Sequence, residues 1–203
     1  ELFLTETLHP LLKRASDGEI EVFFCDAVHP VQGFHSAYIY SSEPCYLRSS
    51  HGRNRFNMLS AIHAISHQLL TIYGGKYVNA ETTVELLELV KEFYPNQKLF
   101  FIMDNARYQR CKYVQEFAEK HQIKLVFLPA YSPNLNLIER LWKFMKKQVN
   151  AGKYYADKES FENAFKEFLY QIEIGIHDDA LSSLLSLNFQ TFKTIKKSTK
   201  LAA

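Results

Sequence analysis

Three carboxylates in this chain stand where a metal-assisted reaction on a phosphate would need them. Asp26 and Asp104 each directly follow a run of five or six mainly apolar residues, and Glu139 lies in what reads as the first turn of a helix. Two carboxylates brought side by side in a partly buried site repel, so one must keep a proton or both must bind a cation. Hard divalent cations such as Mg²⁺ take oxygen ligands, often one or two carboxylates together with substrate phosphate oxygens. Each residue also has a bland role. A strand-end Asp commonly caps the turn that follows. Glu139 stands three residues after Asn136, the spacing of a capping box, and four before Lys143, a helical ion-pair spacing. Capping and catalysis compete for the one Glu139 carboxylate.

The elements that would carry these residues can be read from hydrophobic periodicity. Residues 1–17 predict a short lead-in helix interrupted by Pro10, and Asp17-Gly18 a turn. A strand over 20–25 ends on Asp26. Residues 29–53 predict an irregular excursion, most strand-like at Tyr38-Ile39-Tyr40. Two strands follow, 56–65 and 68–73, with a hairpin connection at Ser66-His67. Asn79 opens an amphipathic helix with Val84, Leu87, Leu89 and Val90 that ends before Pro95. Residues 98–103 form a strand ending on Asp104, a helix runs to about 121, and 123–128 is a strand stopped by Pro129.

In the next helix Ile138, Leu141, Trp142, Met145 and Val149 form the buried stripe, with Glu139 at its margin beside Lys143 and Lys146. From there Glu139 can point across a sheet edge towards Asp26 and Asp104. Trp142 reads as a core or partner contact. Beyond Gly152, Phe161, Phe165, Phe168 and Leu169 mark a helix over 160–172, and 181–192 predicts one more. Three consecutive strands, then strands alternating with helices, imply an α/β fold with a mixed sheet covered by helices, because parallel neighbours need helical crossovers.

Composition narrows the class. With 47% hydrophobic residues, seven Gly and six Pro in 203 residues, the chain can bury a real core. A net charge of +2 says little, but its distribution says more. No acid occurs from 44 to 80, where Arg48, Arg53, Arg55 and Lys76 lie, nor from 140 to 155, which carries Arg140, Lys143 and Lys146. Lys193, Lys196, Lys197 and Lys200 form a further basic run. Such one-sign stretches suit a phosphate backbone as well as plain solvated surface. Three scattered cysteines (Cys25, Cys45, Cys111) without C-x-x-C spacing point to reduced thiols in an intracellular protein. The histidines at 29, 35, 51, 63 and 67 lack the paired cysteines of a structural zinc site. No apolar run approaches the ~20 residues of a membrane span.

The three carboxylate segments resemble the catalytic core of DDE transposases, in the bacterial insertion-sequence branch of the mariner-type superfamily. Phe23-Phe24-Cys25-Asp26 is similar to that family's first aspartate strand. Leu99-Phe100-Phe101-Ile102-Met103-Asp104-Asn105-Ala106-Arg107 is similar to its second. Leu128-Pro129-Ala130-Tyr131-Ser132-Pro133-Asn134-Leu135-Asn136, then Ile138-Glu139-Arg140-Leu141-Trp142, is similar to its third. The 34 residues between Asp104 and Glu139 agree with this branch. Departures fall at Leu137, where many relatives have Pro, at Gln109, where many have His, and at Ala27, where many have an acid. None touches the three carboxylates.

The resemblance implies a ribonuclease H-like fold, a mixed five-stranded sheet flanked by helices with extra C-terminal helices. It implies a lead-in helix over 1–17, a catalytic core over 18–150, and helices over 151–203 packed on that core. Asp26, Asp104 and Glu139 are then the catalytic residues and the ligands of two Mg²⁺ (or Mn²⁺) ions. The implied activity is DNA cleavage at transposon ends and strand transfer into target DNA, by a homodimer on double-stranded DNA in the nucleoid-associated cytoplasm of a bacterium. Arg48, Arg53, Arg55, Arg140, Lys143 and Lys146 become candidates for contact with the DNA backbone. The family's helix-turn-helix segments are not visible in this sequence, so the chain reads as the catalytic portion or a shortened copy. Two other readings stay open: a metal-dependent nuclease without strand transfer, and an inactive derivative that only binds DNA.

Overall fold

In the computed structural model, residues 2–33, 43, 46, 54–74 and 77–189 are described. The chain opens with a π-helical turn, Leu4–Leu8, that runs straight into α1 (His9–Ser16). Pro10 therefore does not break the lead-in helix. The wider π-helical turn directly before it takes up the ring and the missing N–H. Five strands follow: β1 (Glu21–Val28), β2 (Met58–His63), β3 (Leu69–Tyr73), β4 (Leu99–Met103) and β5 (Lys124–Phe127). Between and after them lie α2 (Ala80–Phe93), α3 (Lys112–Lys120), α4 (Ile138–Val149), α5 (Lys158–Glu173) and α6 (Asp178–Leu184).

The sheet order is β3-β2-β1-β4-β5. β1, β2 and β3 form an antiparallel meander, whereas β4 and β5 join β1 in parallel. This is the mixed five-stranded, helix-flanked sheet of the ribonuclease H-like fold. Alternation along the central strands divides the core in two. Val22, Phe24 and Val28 of β1 and Ile102 of β4 pack under α4 and α5, with Leu8 and Leu12 of the lead-in helix. Phe23 and Cys25 of β1 and Phe101 and Met103 of β4 face the other way, onto α2 and α3. Both faces of β1 and β4 are covered, which is why their sequences read as continuous apolar runs.

The ends of several elements differ from the sequence reading, most of all in β1 and the last helix. β1 does not end on Asp26: it continues to Val28 because Ala27 and Val28 pair with Leu59 and Met58 of β2. The last helix spans Asp178–Leu184 instead of 181–192, and residues from 190 onward lie outside the described part. Tyr38-Ile39-Tyr40 lies outside it too. The two ends of the 29–53 excursion close on each other through a bridge between Val31 and Arg55. Buried Gln32 ties them down, receiving the Asn54 amide at 2.7 Å and donating to the Tyr155 and Asp157 carbonyls. His63 shows why the histidines carry structure here. Its Nδ1 accepts the Ser66 N–H, so its proton is on Nε2, which donates to Glu21 at 2.7 Å.

Candidate active site

β1 and β4 are parallel neighbours in the register Cys25 with Met103. The next residue on each strand line is therefore Asp26 and Asp104, side by side at the same end of the sheet. Parity fixes the face. Asp26 follows Val22 and Phe24 at two-residue steps, and Asp104 follows Phe100 and Ile102, so both are in phase with the residues beneath α4. Asp26 is half-buried and Asp104 exposed.

Asp26 registers its neighbours electrically. Burial, then the charges of Glu139 and Asp104, push its carboxyl up from 3.8 to about 7, against the opposing hydrogen bonds from the Ala27 N–H and the Trp142 indole. Burial, Asp26 and Asp104 also hold the Cys25 thiol strongly protonated. Burial, helped by Cys25, Asp26 and Asp104, lifts the Tyr108 phenol to about 12. The charges of Asp26 and Asp104 thus bear on side chains from two segments and both faces of the sheet, and carboxylate oxygens are the donors a hard cation takes. Among the described residues, no three His, Cys, Asp or Glu side chains stand close enough to hold an ion as they are.

The capping-box reading of Asn136 fails. Leu137, in helical conformation, occupies the N-cap position of α4, and no side chain caps that end. Asn136 is buried, its amide donating to the Cys25 carbonyl at 3.3 Å, and its backbone N–H goes to Pro133. Glu139 approaches Asn136 only through its own backbone N–H, so its carboxylate is not spent on the cap. Trp142 is buried as expected, but it does more than fill volume: its Nε1–H donates to Asp26 Oδ2 at 3.1 Å.

A family model described as DDE superfamily endonuclease matches residues 21–162. The chain belongs to the DDE superfamily endonucleases. All three carboxylates fall inside the matched segment. Among solved structures, the fold of this DDE domain is similar to the Mos1 strand transfer complex (TM-score 0.59, 16% identity, 93% of this chain and 61% of that one). It is also similar to the Mos1 transposase paired-end complex with left transposon end (0.60, 15%, 91% and 62%). The intasome of simian T-cell lymphotropic virus in complex with a phosphatase regulatory subunit, PP2A B56 gamma, follows (0.54, 14%, 84% and 50%). The chain thus spans about three-fifths of the Mos1 chains it matches. No curated protein sequence matches it.

The basic candidates of this DDE domain separate. Lys143 and Lys146 are exposed on α4, and Arg55 is exposed where the excursion rejoins β2. Arg48 and Arg53 lie outside the described residues. Arg140 is otherwise engaged. Its guanidinium donates to the carbonyls of Leu184 (3.3 Å), Ser186 (2.6 Å) and Asn188 (2.6 Å) and lies 5.4 Å from the centre of the Phe189 ring. It clasps the end of α6 and the chain after it to α4, and most of its donors are taken. Sequence reasoning missed Tyr108 altogether and the indole contact of Trp142. The nearness of Tyr108 to Asp104 along the chain was the only hint of the first.

Proposed function

We propose that this chain is the catalytic domain of a DDE transposase, cutting phosphodiester bonds at transposon ends and joining the freed 3′ ends to target DNA. The observation that carries the reading is the convergence on Asp26. The charges of Asp104, from a neighbouring parallel strand, and Glu139, from the helix above, both bear on its carboxyl. Stretches similar to the family's three motifs carry these three residues, and the family match spans them. Asp26, Asp104 and Glu139 would hold two Mg²⁺ or Mn²⁺ ions, which when bound activate the attacking oxygen and stabilise the leaving one.

The chain's own residues supply the rest. A cation offsets the burial and the mutual repulsion that otherwise keep a proton on Asp26 to near neutrality. Trp142 turns the Asp26 carboxylate, and the apolar underside of α4 keeps water from that side of it. Lys143 and Lys146, exposed on the same helix, would meet the DNA backbone, with Arg55, Arg48 and Arg53 as further contacts. The partner is double-stranded DNA, transposon end and target, engaged by a homodimer. Residues 18–150 serve as catalytic core, and α5 and α6 support it. The motif likeness favours a bacterial insertion-sequence element, acting at the nucleoid. Among the described residues no helix is long and apolar enough to cross a membrane.

One observation favours a second reading, a derivative that binds DNA without chemistry: among the described residues, no carboxylate trio stands at ligand distance as it is. Precleaved and intact transposon-end duplexes incubated with Mn²⁺ and target plasmid separate the cases. Cleavage with joined products supports the transposase. Nicking without joining indicates a nuclease, and DNA retention without either product indicates the binding derivative.

A further inference from the structure

Glu139 and Trp142, three residues apart in α4, lie towards one side of that helix, and Asn136 stands in extended conformation just before its N-cap Leu137. Asn136 and Trp142 are buried, and each donates one hydrogen bond to β1, on consecutive residues. Asn136 Nδ2 reaches the Cys25 carbonyl at 3.3 Å, and Trp142 Nε1 reaches Asp26 Oδ2 at 3.1 Å. Glu139 lies between these two bonds. An indole N–H can only donate, and a ring as large as Trp142 in a packed core has few orientations available. The bond therefore fixes the carboxylate and the helix together.

We infer that Trp142 and Asn136 are positioning residues: they pin α4 to β1 on either side of Glu139 and hold Asp26 with one oxygen on the indole, so that Glu139 and Asp26 keep a set relation before any cation arrives. This rests on the functional reading above, since it concerns how the proposed ligand set is held. Outer hydrogen bonds to metal ligands are worth about 10- to 100-fold in metal affinity in comparable sites. A ring that merely fills volume would be replaced by Phe at a cost in stability alone.

Trp142 is the one tryptophan of the chain, so its emission reports on Asp26 without a label. In wild type, Mg²⁺ changes that emission over the concentration range in which calorimetry records binding, and in Asp26→Asn the change is lost. Trp142→Phe and, separately, Asn136→Ala each weaken Mn²⁺ binding by about 10-fold or more, measured well below their melting temperatures. Asn136→Ala guards against a misfolded Trp142→Phe, because it also removes a buried Oδ1 that has no hydrogen-bond partner. Mn²⁺ affinity within twofold of wild type in both folded variants, or wild-type emission indifferent to bound Mg²⁺, overturns the positioning role and leaves the transposase reading intact. Absence of Mn²⁺ binding by wild type overturns both.

Discussion

Removing the charge of Asp26 is the most direct test of the electrostatics of the site. Asp26→Asn keeps the shape of the side chain and an oxygen for the Trp142 N–H, but ends the repulsion from Glu139 and Asp104. An unfolded chain releases the Asp26 proton near 3.8 and the folded one near 7. Each tenfold difference in proton affinity is worth ~1.4 kcal/mol, which puts a ceiling of about 4 kcal/mol on the cost of ionising this group in the fold. The sign follows from which state holds the proton. Between about pH 4 and pH 7 the folded state binds it and the unfolded state does not, so stability falls as pH rises through that window. Without divalent metal, Asp26→Asn is therefore expected to be more stable than wild type at pH 8, by about 2–4 kcal/mol, with the gap closing towards pH 4. Urea denaturation in EDTA at a series of pH values measures it. Adding Mg²⁺ or Mn²⁺ should reverse the order, since a ligand bound by the native state alone stabilises wild type and not the variant. A variant equal to or less stable than wild type at pH 8 in EDTA, or a gap that ignores pH, would refute the picture of a carboxylate crowded by two others.

Three further variants separate binding from folding. Lys143→Ala with Lys146→Ala should leave the melting temperature nearly unchanged and reduce the slope of log affinity against log salt for duplex DNA by about 2, read by anisotropy titrations at several salt concentrations. Arg140→Ala should behave the other way: loss of its three carbonyl contacts should lower stability by about 2 kcal/mol, with the salt dependence of DNA binding unaltered. Asn79→Ala removes the cap that accepts the Thr82 N–H at the start of α2, away from the carboxylates. It should cost about 1 kcal/mol in urea denaturation while Mn²⁺ affinity stays as in wild type.

The element order was legible because each strand and helix of the core carries its own period. β1 and β4 announce themselves as apolar runs buried on both faces, and α4 by a stripe that is wholly buried in the fold. The strand-end aspartates were legible for the same reason, since a charged residue closing such a run has few other places to be. What could not be read was whatever depends on a distant partner. Nothing in residues 20–28 says that β1 should outlast Asp26; β2, some thirty residues on, supplies the pairing that extends it. Arg140 looks like one more cation in a basic stretch until the carbonyls at and after the end of α6, more than forty residues away, take its donors.

Asn136 makes the point most sharply, because local physics favoured the other outcome. Asn three residues before Glu is a good capping box, and that box would have occupied the Glu139 carboxylate. In the fold the Asn136 amide turns instead to the Cys25 carbonyl, 111 positions away in sequence, beside Asp26. The start of α4 loses a cap worth about 1 kcal/mol. Against that loss stands a tie between the helix and the edge of the sheet, made by a side chain whose Oδ1 is left buried without a partner. A fold selected for helix stability alone would not hold both defects at once. A fold that must bring a free carboxylate on a helix to bear on an aspartate on a strand has use for the tie, and the uncapped Glu139 is its consequence.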